Sequence, residues 1–387
     1  MEFAKRMEVF GAGIFNVLEE KRKERAAQGK PCWNLSIGTP DFKPDDHVME
    51  ALAEAARKPE NYRYALTETP ELIEAVKAWY RRRYGVELAR EEILSVYGSQ
   101  EGLAHIALAV CDPGDVVLVP DPGYPIFEIG PFLCGAEPVH YELDQENNYL
   151  PDLSAIDPET AKRAKMMVVS YPANPVCTTA PDSFYEELIA FAKQYDILIL
   201  HDNAYSEILF DGRVGGSFLR FEGAREVGVE FNSLSKTYNI PGPRISFVLG
   251  NRQVVEKFRA VRSQIDYGIF LPVQAAAVAA LNGSQDSVLR HRQEYQARRD
   301  ALCGGLRSIG WNVPDSQGSM FVWAPLPEGY TDSASFCMTL LDRAGVLCTP
   351  GAAFGRLGEG HVRFALVQPP EVMEEIVQAV KDSGILK

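Results

Sequence analysis

The sequence predicts an α/β fold: a mostly parallel sheet covered by helices on both faces, followed by a smaller α+β domain. Short, continuously apolar runs alternate with helical segments from about residue 90, which is typical of strands buried on both faces of a parallel sheet. The alternation stops near Pro272. In addition, 387 residues are too many for one ordinary core, so we expect two domains.

A helical region precedes the first predicted strand. Residues 17–27 are rich in Glu, Lys and Arg and predict a solvated helix. Thr69, Pro70 and Glu71 predict the start of another helix, because they supply a hydroxyl cap, a first-turn proline and an acid that favours the helix dipole.

The apolar runs end in polar loops. Strands are predicted at residues 93–96, 116–119, 166–169, 197–200, 227–231 and 246–249. Five of these runs are followed by polar or aromatic side chains, which include Ser99, Gln100, Tyr124, Asn174, Asp202, Tyr205, Ser233 and Lys236. Ligands of such sheets bind beyond the carboxyl ends of the strands. The loops therefore predict one ligand site at this edge.

The remainder of the chain predicts the second domain. Strand-like segments occur at 320–323 and 361–367, and Pro370 opens a final helix that ends near Gly384. We predict an N-terminal arm with part of the small domain at 1–45, a large domain at 46–275, and an interdomain helix with the small domain at 276–387.

Composition narrows the class of protein. The net charge of −14 argues against nucleic-acid binding. No apolar run approaches the roughly 20 residues that span a membrane, and the N-terminus lacks a signal core. Seven scattered cysteines favour reduced thiols. No histidines or cysteines have metal-ligand spacing. We expect a cytoplasmic protein without a membrane partner or a bound metal.

The segment 232–244 resembles the cofactor-lysine motif of the class I/II aminotransferases, which are fold type I enzymes that use pyridoxal 5'-phosphate (PLP). It places Lys236 among hydroxyl residues and Arg244 eight positions later. The resemblance covers essentially the whole chain, and residues 264–270 and the tail look most like alanine (glutamate–pyruvate) and LL-diaminopimelate aminotransferases. It implies a seven-stranded-type sheet, a homodimer with active sites at the subunit interface, and ping-pong transfer of an amino group between an L-amino acid and a 2-oxo acid.

The resemblance also implies which residues contact the cofactor ring. Lys236 would bond covalently to PLP and later move the substrate proton. Asp202 would face the pyridine nitrogen and favour its charged form. Tyr205 and Asn174 would hydrogen-bond the phenolic oxygen, and Tyr124 would stack on the ring. Lys236, Asp202 and Tyr205 are thus the candidate catalytic residues.

Phosphate and substrate contacts follow from the same resemblance. Ser99, Gln100, Ser233 and Arg244 would bind the phosphate, and Tyr64 would reach the partner subunit's phosphate, with Tyr62 as an open alternative. Arg363 would bind the substrate carboxylate. The other candidate substrate contacts are Gly38, Asn174, Tyr124, Tyr267, Phe15 and Ile14. Pro243 and Ser246 depart from the family's usual tryptophan and glycine, but neither removes a group that the chemistry requires.

Other functions are possible on the same cofactor or without it. A PLP-dependent C–S β-lyase would release pyruvate and ammonia instead of exchanging an amino group. A non-enzymatic PLP-binding regulator is disfavoured, because such proteins carry a basic DNA-binding domain ahead of this fold. A nicotinamide dehydrogenase is disfavoured because no glycine fingerprint follows a strand.

Overall fold

Seven strands form the central sheet of the computed structural model, which describes residues 1–10 and 14–386, with side chains for all of these except 14–16. In spatial order they are β2 (Ile93–Val96), β8 (Ser246–Gly250), β7 (Gly228–Ser233), β6 (Leu198–Asp202), β5 (Ala164–Ser170), β3 (Val116–Asp121) and β4 (Glu137–Glu142). Only the two pairs made by β8 are antiparallel within this sheet. The prediction of a mostly parallel seven-stranded sheet is confirmed.

The composition of the strands explains why helices cover both faces of the central sheet. In β3, Val116 and Leu118 face one apolar cluster while Val117 and Val119 face the other, since successive strand residues point to opposite faces. Both faces are therefore covered by helices. The edge strand β4 was not predicted, because its sequence Glu-Pro-Val-His-Tyr-Glu is largely polar and half exposed.

Two smaller sheets stand beside the central one. β1 (Trp33–Asn34) pairs in parallel with β10 (Val346–Leu347). The other sheet is antiparallel, with β12 (His361–Ala365) between β11 (Thr349–Pro350) and β9 (Phe321–Pro325). The β1–β10 sheet joins the two ends of the sequence, whereas all strands of the antiparallel sheet come from the C-terminal part. The domain limits remain a prediction.

Helices occupy most of the remaining chain. They are α1 (Ile14–Ala27), α2 (Asp46–Ala56), α3 (Pro70–Tyr84), α4 (Ser99–His105), α5 (Ala107–Val110), α6 (Ile126–Cys134), α7 (Pro158–Arg163), α8 (Asp182–Tyr195), α9 (Ala224–Val227), α10 (Leu234–Thr237), α11 (Arg252–Arg262), α12 (Leu271–Asn282), α13 (Asp286–Ser308), α14 (Ser333–Ala344) and α15 (Pro370–Ser383). None in the described ranges is long and apolar enough to cross a membrane.

The predicted start of α3 matches the observed one. The Thr69 hydroxyl accepts a hydrogen bond from the Leu72 amide at 3.2 Å, and Pro70 opens the first turn. The helix ends at Gly85, whose left-handed φ of 69° suits glycine. α3 lies against the central sheet and carries Tyr80 and Tyr84 into the core.

Candidate active site

A cavity of about 330 Å³ lies at the carboxyl edge of the central sheet. Loops that follow β2, β3, β5, β6 and β7 all reach it, as the sequence predicts. The predicted site residues that line it are Gly38, Ser99, Gln100, Tyr124, Asn174, Asp202, Tyr205, Ser233, Lys236, Arg244 and Arg363. The fold thus brings together residues from distant parts of the chain, such as Ser36 and Arg363, which are 327 positions apart.

Lys236 lies on the single turn α10 that follows β7. Ser233 caps this turn, since its hydroxyl accepts a hydrogen bond from the Ser235 amide at 3.2 Å. The Lys236 ammonium donates to the Gly38 carbonyl oxygen at 2.6 Å. Burial, together with the charges of Arg363 and Arg244, lowers the pKa of Lys236 to about 8. About a tenth of this amine is therefore neutral, and so nucleophilic, at pH 7, far more than for an ordinary lysine.

Asp202 ends β6 with its carboxylate in the cavity. Burial raises the pKa of Asp202 to about 6, while the charge of His201 and the Ala204 amide act in the opposite direction. The Asp202 Oδ1 atom is buried and has no hydrogen-bond partner in residues 1–10 and 17–386. A buried carboxylate oxygen without a donor is costly, so this position suits a ligand that carries a donor or a positive charge.

Arg363 lies on β12 of the three-stranded sheet, and its side chain contacts the loop that follows β5 of the central sheet. Its Nη1 donates to Asn174 Oδ1 at 2.7 Å, and its Nη2 donates to the Ser36 carbonyl oxygen at 3.1 Å. Its guanidinium stacks over the rings of Phe321 and Phe354, 4.0 and 4.6 Å from their centroids. Nε has no partner within the described part of the chain. This buried cation is free to bind an anion.

Arg244 and Gly98 form one side of the cavity. The Arg244 guanidinium donates to the carbonyl oxygens of Pro241 (3.0 Å) and Tyr97 (3.4 Å). A Cβ added at Gly98, whose φ is 83°, would overlap this guanidinium. Glycine is therefore required here both for its φ and for the close approach of Arg244.

Two tyrosines complete the described wall. Tyr124 donates to Gln100 Oε1 at 2.9 Å, which joins the loop after β3 to the start of α4. Tyr205 packs edge-on against Phe321, and burial raises its pKa. A neutral, buried hydroxyl at Tyr205 is a hydrogen-bond donor to whatever fills the cavity.

Three predicted contacts do not line the cavity of their own chain. Tyr64 and Tyr267 pack together at 4.9 Å on the surface and are 76% and 57% exposed. Tyr62, the alternative to Tyr64, is also exposed and donates to the Ala56 carbonyl oxygen at 2.8 Å. The side chains of Phe15 and Ile14 lie outside the described residues. Tyr62, Tyr64 and Tyr267 therefore do not contact the cavity of their own chain.

Several lining residues were missed by the sequence reasoning. They are Ser36, Ile37, Leu103, Ala204, Ser235, Pro241 and Phe321. Ser235 and Ala204 are sequence neighbours of predicted site residues, so their positions in the same loops could have indicated that they line the cavity. Phe321 carried none, because an aromatic residue in an apolar run is usually part of a core.

The fold and the cavity define a class: α/β proteins whose ligand site at the sheet edge combines a partly buried lysine with a buried carboxylate and a buried arginine. A family model described as "aminotransferase class I and II" matches residues 30–380. The chain belongs to this family. It is 43% identical to an LL-diaminopimelate aminotransferase of Moorella thermoacetica over 383 residues, 98% of both chains. It is 41% identical to one from Halothermothrix orenii, covering 100% of this chain and 99% of that protein.

Solved structures agree with this assignment. BacF from Bacillus subtilis superposes with a TM-score of 0.94 at 35% identity and covers 99% of this chain and 98% of that one. A probable N-succinyldiaminopimelate aminotransferase from Thermus thermophilus gives a TM-score of 0.91 at 32% identity, with 96% and 100% coverage. The protein is a PLP-dependent aminotransferase that acts on amino acids and 2-oxo acids.

The residues present fit PLP. Besides Asp202 Oδ1, the hydroxyls of Ser99 and Ser235 are buried at the cavity without a partner among the described residues. The two serine hydroxyls, with Arg244, supply the donors and positive charge that a phosphate needs, and Asp202 Oδ1 would accept from the protonated ring nitrogen. When bound, PLP supplies an aldehyde and an electron-withdrawing ring that stabilises negative charge at the substrate Cα.

Proposed function

We propose that Lys236, Asp202 and Tyr205 are the catalytic residues of amino-group exchange and that Arg363 binds the substrate. The supporting observation is that one cavity holds a lysine with a pKa lowered to about 8, a buried carboxylate and a buried arginine. These three groups match the needs of the reaction: a nucleophilic amine, an anion for the ring nitrogen and a cation for the substrate carboxylate. The cycle would be ping-pong, with donor and acceptor using the same site in turn.

In this proposal Lys236 holds the cofactor and then moves a proton at its Nζ atom. When not bonded to the cofactor, the neutral amine of Lys236 would accept the proton from the substrate Cα at its Nζ atom and would later give that proton up again, so the residue ends the exchange unchanged. With PLP bound, Asp202 would keep the pyridine nitrogen protonated. Tyr205 and Asn174 would donate hydrogen bonds to the phenolic oxygen, and Tyr124 would stack on the ring.

The phosphate would lie between α4 and α10. Ser99 and Gln100 open α4, Ser233 caps α10, and Arg244 faces them with its guanidinium. Ser235, whose buried hydroxyl has no partner in the described chain, is a further candidate donor. A dianion here would satisfy these groups together.

The substrate α-carboxylate would bind Arg363. The guanidinium already has its orientation fixed by Asn174 and Ser36, so little side-chain entropy is lost on binding. Gly38 lies beside it, and a side chain at that position would overlap Phe321. A substrate carboxylate at this position could therefore pair with the Arg363 guanidinium and approach the backbone of Gly38, where no side chain is in the way.

The active unit is proposed to be a homodimer in the cytoplasm. Tyr62, Tyr64, Tyr267 and Phe270 form an exposed aromatic cluster, which is the kind of apolar surface that a subunit interface covers. Tyr64 would then contact the partner subunit's phosphate, and Tyr267 and Phe15 would border the substrate. A single-chain mass in analytical ultracentrifugation would contradict the dimer.

For the substrate, we propose LL-diaminopimelate as the amino donor, with glutamate and alanine as the next candidates. The support is the identity of 41–43% to the named relatives over nearly the whole chain. The test is a panel of amino donors against 2-oxoglutarate and pyruvate, scored by kcat/KM. Preference for LL-diaminopimelate would support the proposal. Higher kcat/KM for glutamate, alanine or an aromatic donor would reassign the substrate and leave the aminotransferase activity intact.

A further inference from the structure

A buried carboxylate joins the turn after β3 to the loop between β11 and β12. Asp121 ends β3 and is 5% exposed. Its Oδ1 atom accepts a hydrogen bond from the Leu357 amide at 2.9 Å. A second hydrogen bond joins the same two parts of the chain, because the Gly123 amide donates to the Phe354 carbonyl oxygen at 2.7 Å. Segments 121–124 and 354–357 are therefore tied together at two points.

The backbone of Gly355 shows how closely these two segments approach each other. Gly355 has a φ of 124°, and a Cβ added there would overlap Asp121 Oδ1. An ion pair between Arg356 and Glu142, at 2.8 Å, also joins the loop to the central sheet. Both of its side chains are largely exposed, and such pairs contribute little. The buried contacts of Asp121 and Gly123 therefore hold the loop on the central sheet.

Each of the two segments adjoins the candidate active site. Segment 121–124 ends at Tyr124, which lines the cavity and is held separately by its hydrogen bond to Gln100. Segment 354–357 begins at Phe354, whose buried ring is centred 4.6 Å from the Arg363 guanidinium. This ring keeps water away from the guanidinium, and a charge pair is stronger where water is excluded. The position of Phe354 therefore affects how tightly Arg363 binds an anion.

We propose that Asp121 is a positioning residue for substrate binding: it holds segment 354–357 on the central sheet and so keeps the Phe354 ring over the guanidinium that receives the substrate carboxylate. The inference rests on the proposed role of Arg363. Asp121 is not among the residues that line the cavity, so it acts through Phe354 and not on the substrate itself. Because Gln100 holds Tyr124 independently, loss of the Asp121 contact affects the carboxylate site and leaves the cofactor site in place.

The experiment compares the KM for an amino donor, kcat and the Kd of PLP between the wild-type enzyme and variants of Asp121. Asp121→Ala should raise the KM about three- to tenfold, the range that corresponds to one hydrogen bond. Its kcat and its Kd of PLP should change by less than about twofold, since only substrate binding is weakened. Asp121→Asn keeps an acceptor oxygen for the Leu357 amide, and its KM should stay within about twofold of the wild-type value.

Asp157→Ala is the matched control. The Asp157 carboxylate also accepts a hydrogen bond from a backbone amide at 2.9 Å, but this residue caps α7 and does not line the cavity. Its KM should equal that of the wild-type enzyme. A purely structural role of Asp121 would lower the melting temperature and leave the KM unchanged. That result, or an equal rise of the KM in Asp121→Asn, would overturn the inference.

A second pair of variants tests the same contact from the loop if Asp121→Ala does not fold. Gly355→Ala places a Cβ against the Asp121 carboxylate, whereas Gly360→Ala, at a φ of 84°, has nothing within 4 Å of its added Cβ. The KM should rise in Gly355→Ala alone, and equal values would overturn the inference. If Arg363→Lys leaves kcat/KM unchanged, the proposed carboxylate site fails and this inference fails with it. A loss in Arg363→Lys without a change in Asp121→Ala overturns this inference only.

Discussion

The Arg363 guanidinium donates to Asn174 Oδ1 at 2.7 Å, and this contact joins the three-stranded sheet to the loop after β5. The two residues are 189 positions apart. The proposed carboxylate site and the proposed ring contact of Asn174 are therefore positioned by one hydrogen bond. A change at either residue is expected to affect both substrate and cofactor binding.

Arg363→Lys is predicted to lower kcat/KM for amino-acid donors by about 10- to 100-fold, because an ammonium cannot form the bidentate pair and a charged hydrogen bond is worth roughly 1.5–3 kcal/mol. Steady-state kinetics with two donors would measure this. Arg356→Lys is the control, since Arg356 is an exposed arginine paired with Glu142. Equal kinetics in the two variants would place the substrate carboxylate elsewhere.

Gly98→Ala is predicted to weaken PLP binding about tenfold or more, which corresponds to roughly 1.4 kcal/mol. Its Cβ would overlap the Arg244 guanidinium. Gly114→Ala is a matched control: Gly114 also has a positive φ of 92°, but nothing lies within 4 Å of an added Cβ. Both variants carry a backbone penalty in the free energy of unfolding, about 1–3 kcal/mol for the sparsely populated conformation of Gly98 (φ 83°, ψ 153°). Only Gly98→Ala should raise the Kd of PLP, measured by fluorescence titration of the apoenzyme.

The rate at which apoenzyme captures PLP is predicted to rise with pH and to level off above about pH 8. The reactive form is the neutral amine, and burial lowers the pKa of Lys236 from 10.5 to about 8. The neutral fraction therefore grows about tenfold per pH unit below this pKa and saturates above it. Stopped-flow absorbance would follow the reaction. A rate that keeps rising to about pH 10 would indicate an ordinary lysine pKa.

Much of the fold followed from local composition. Strands such as β3 and β5 consist of apolar, mostly β-branched or long side chains because both of their faces are buried. The polar loops that follow these strands also located the ligand-binding edge, since parallel strands end on the same side of a sheet. β4 escaped prediction because an edge strand tolerates polar residues on its open side.

The missed parts of the site depend on tertiary contact. Phe321 reaches Arg363 only because β9 and β12 pair, and no local pattern encodes that approach. Tyr64 and Tyr267 remain predictions because their proposed partner is a second subunit.

The most direct test of the central claim is to find the lysine that bonds to PLP. The loaded enzyme is reduced with borohydride, digested and mapped by mass spectrometry, with Lys236→Ala and the exposed-site control Lys193→Ala treated in parallel. The proposal predicts a single PLP-labelled peptide that contains Lys236, retained in Lys193→Ala and lost together with the visible band in Lys236→Ala. A label on another lysine, or an unchanged band in Lys236→Ala, would contradict it.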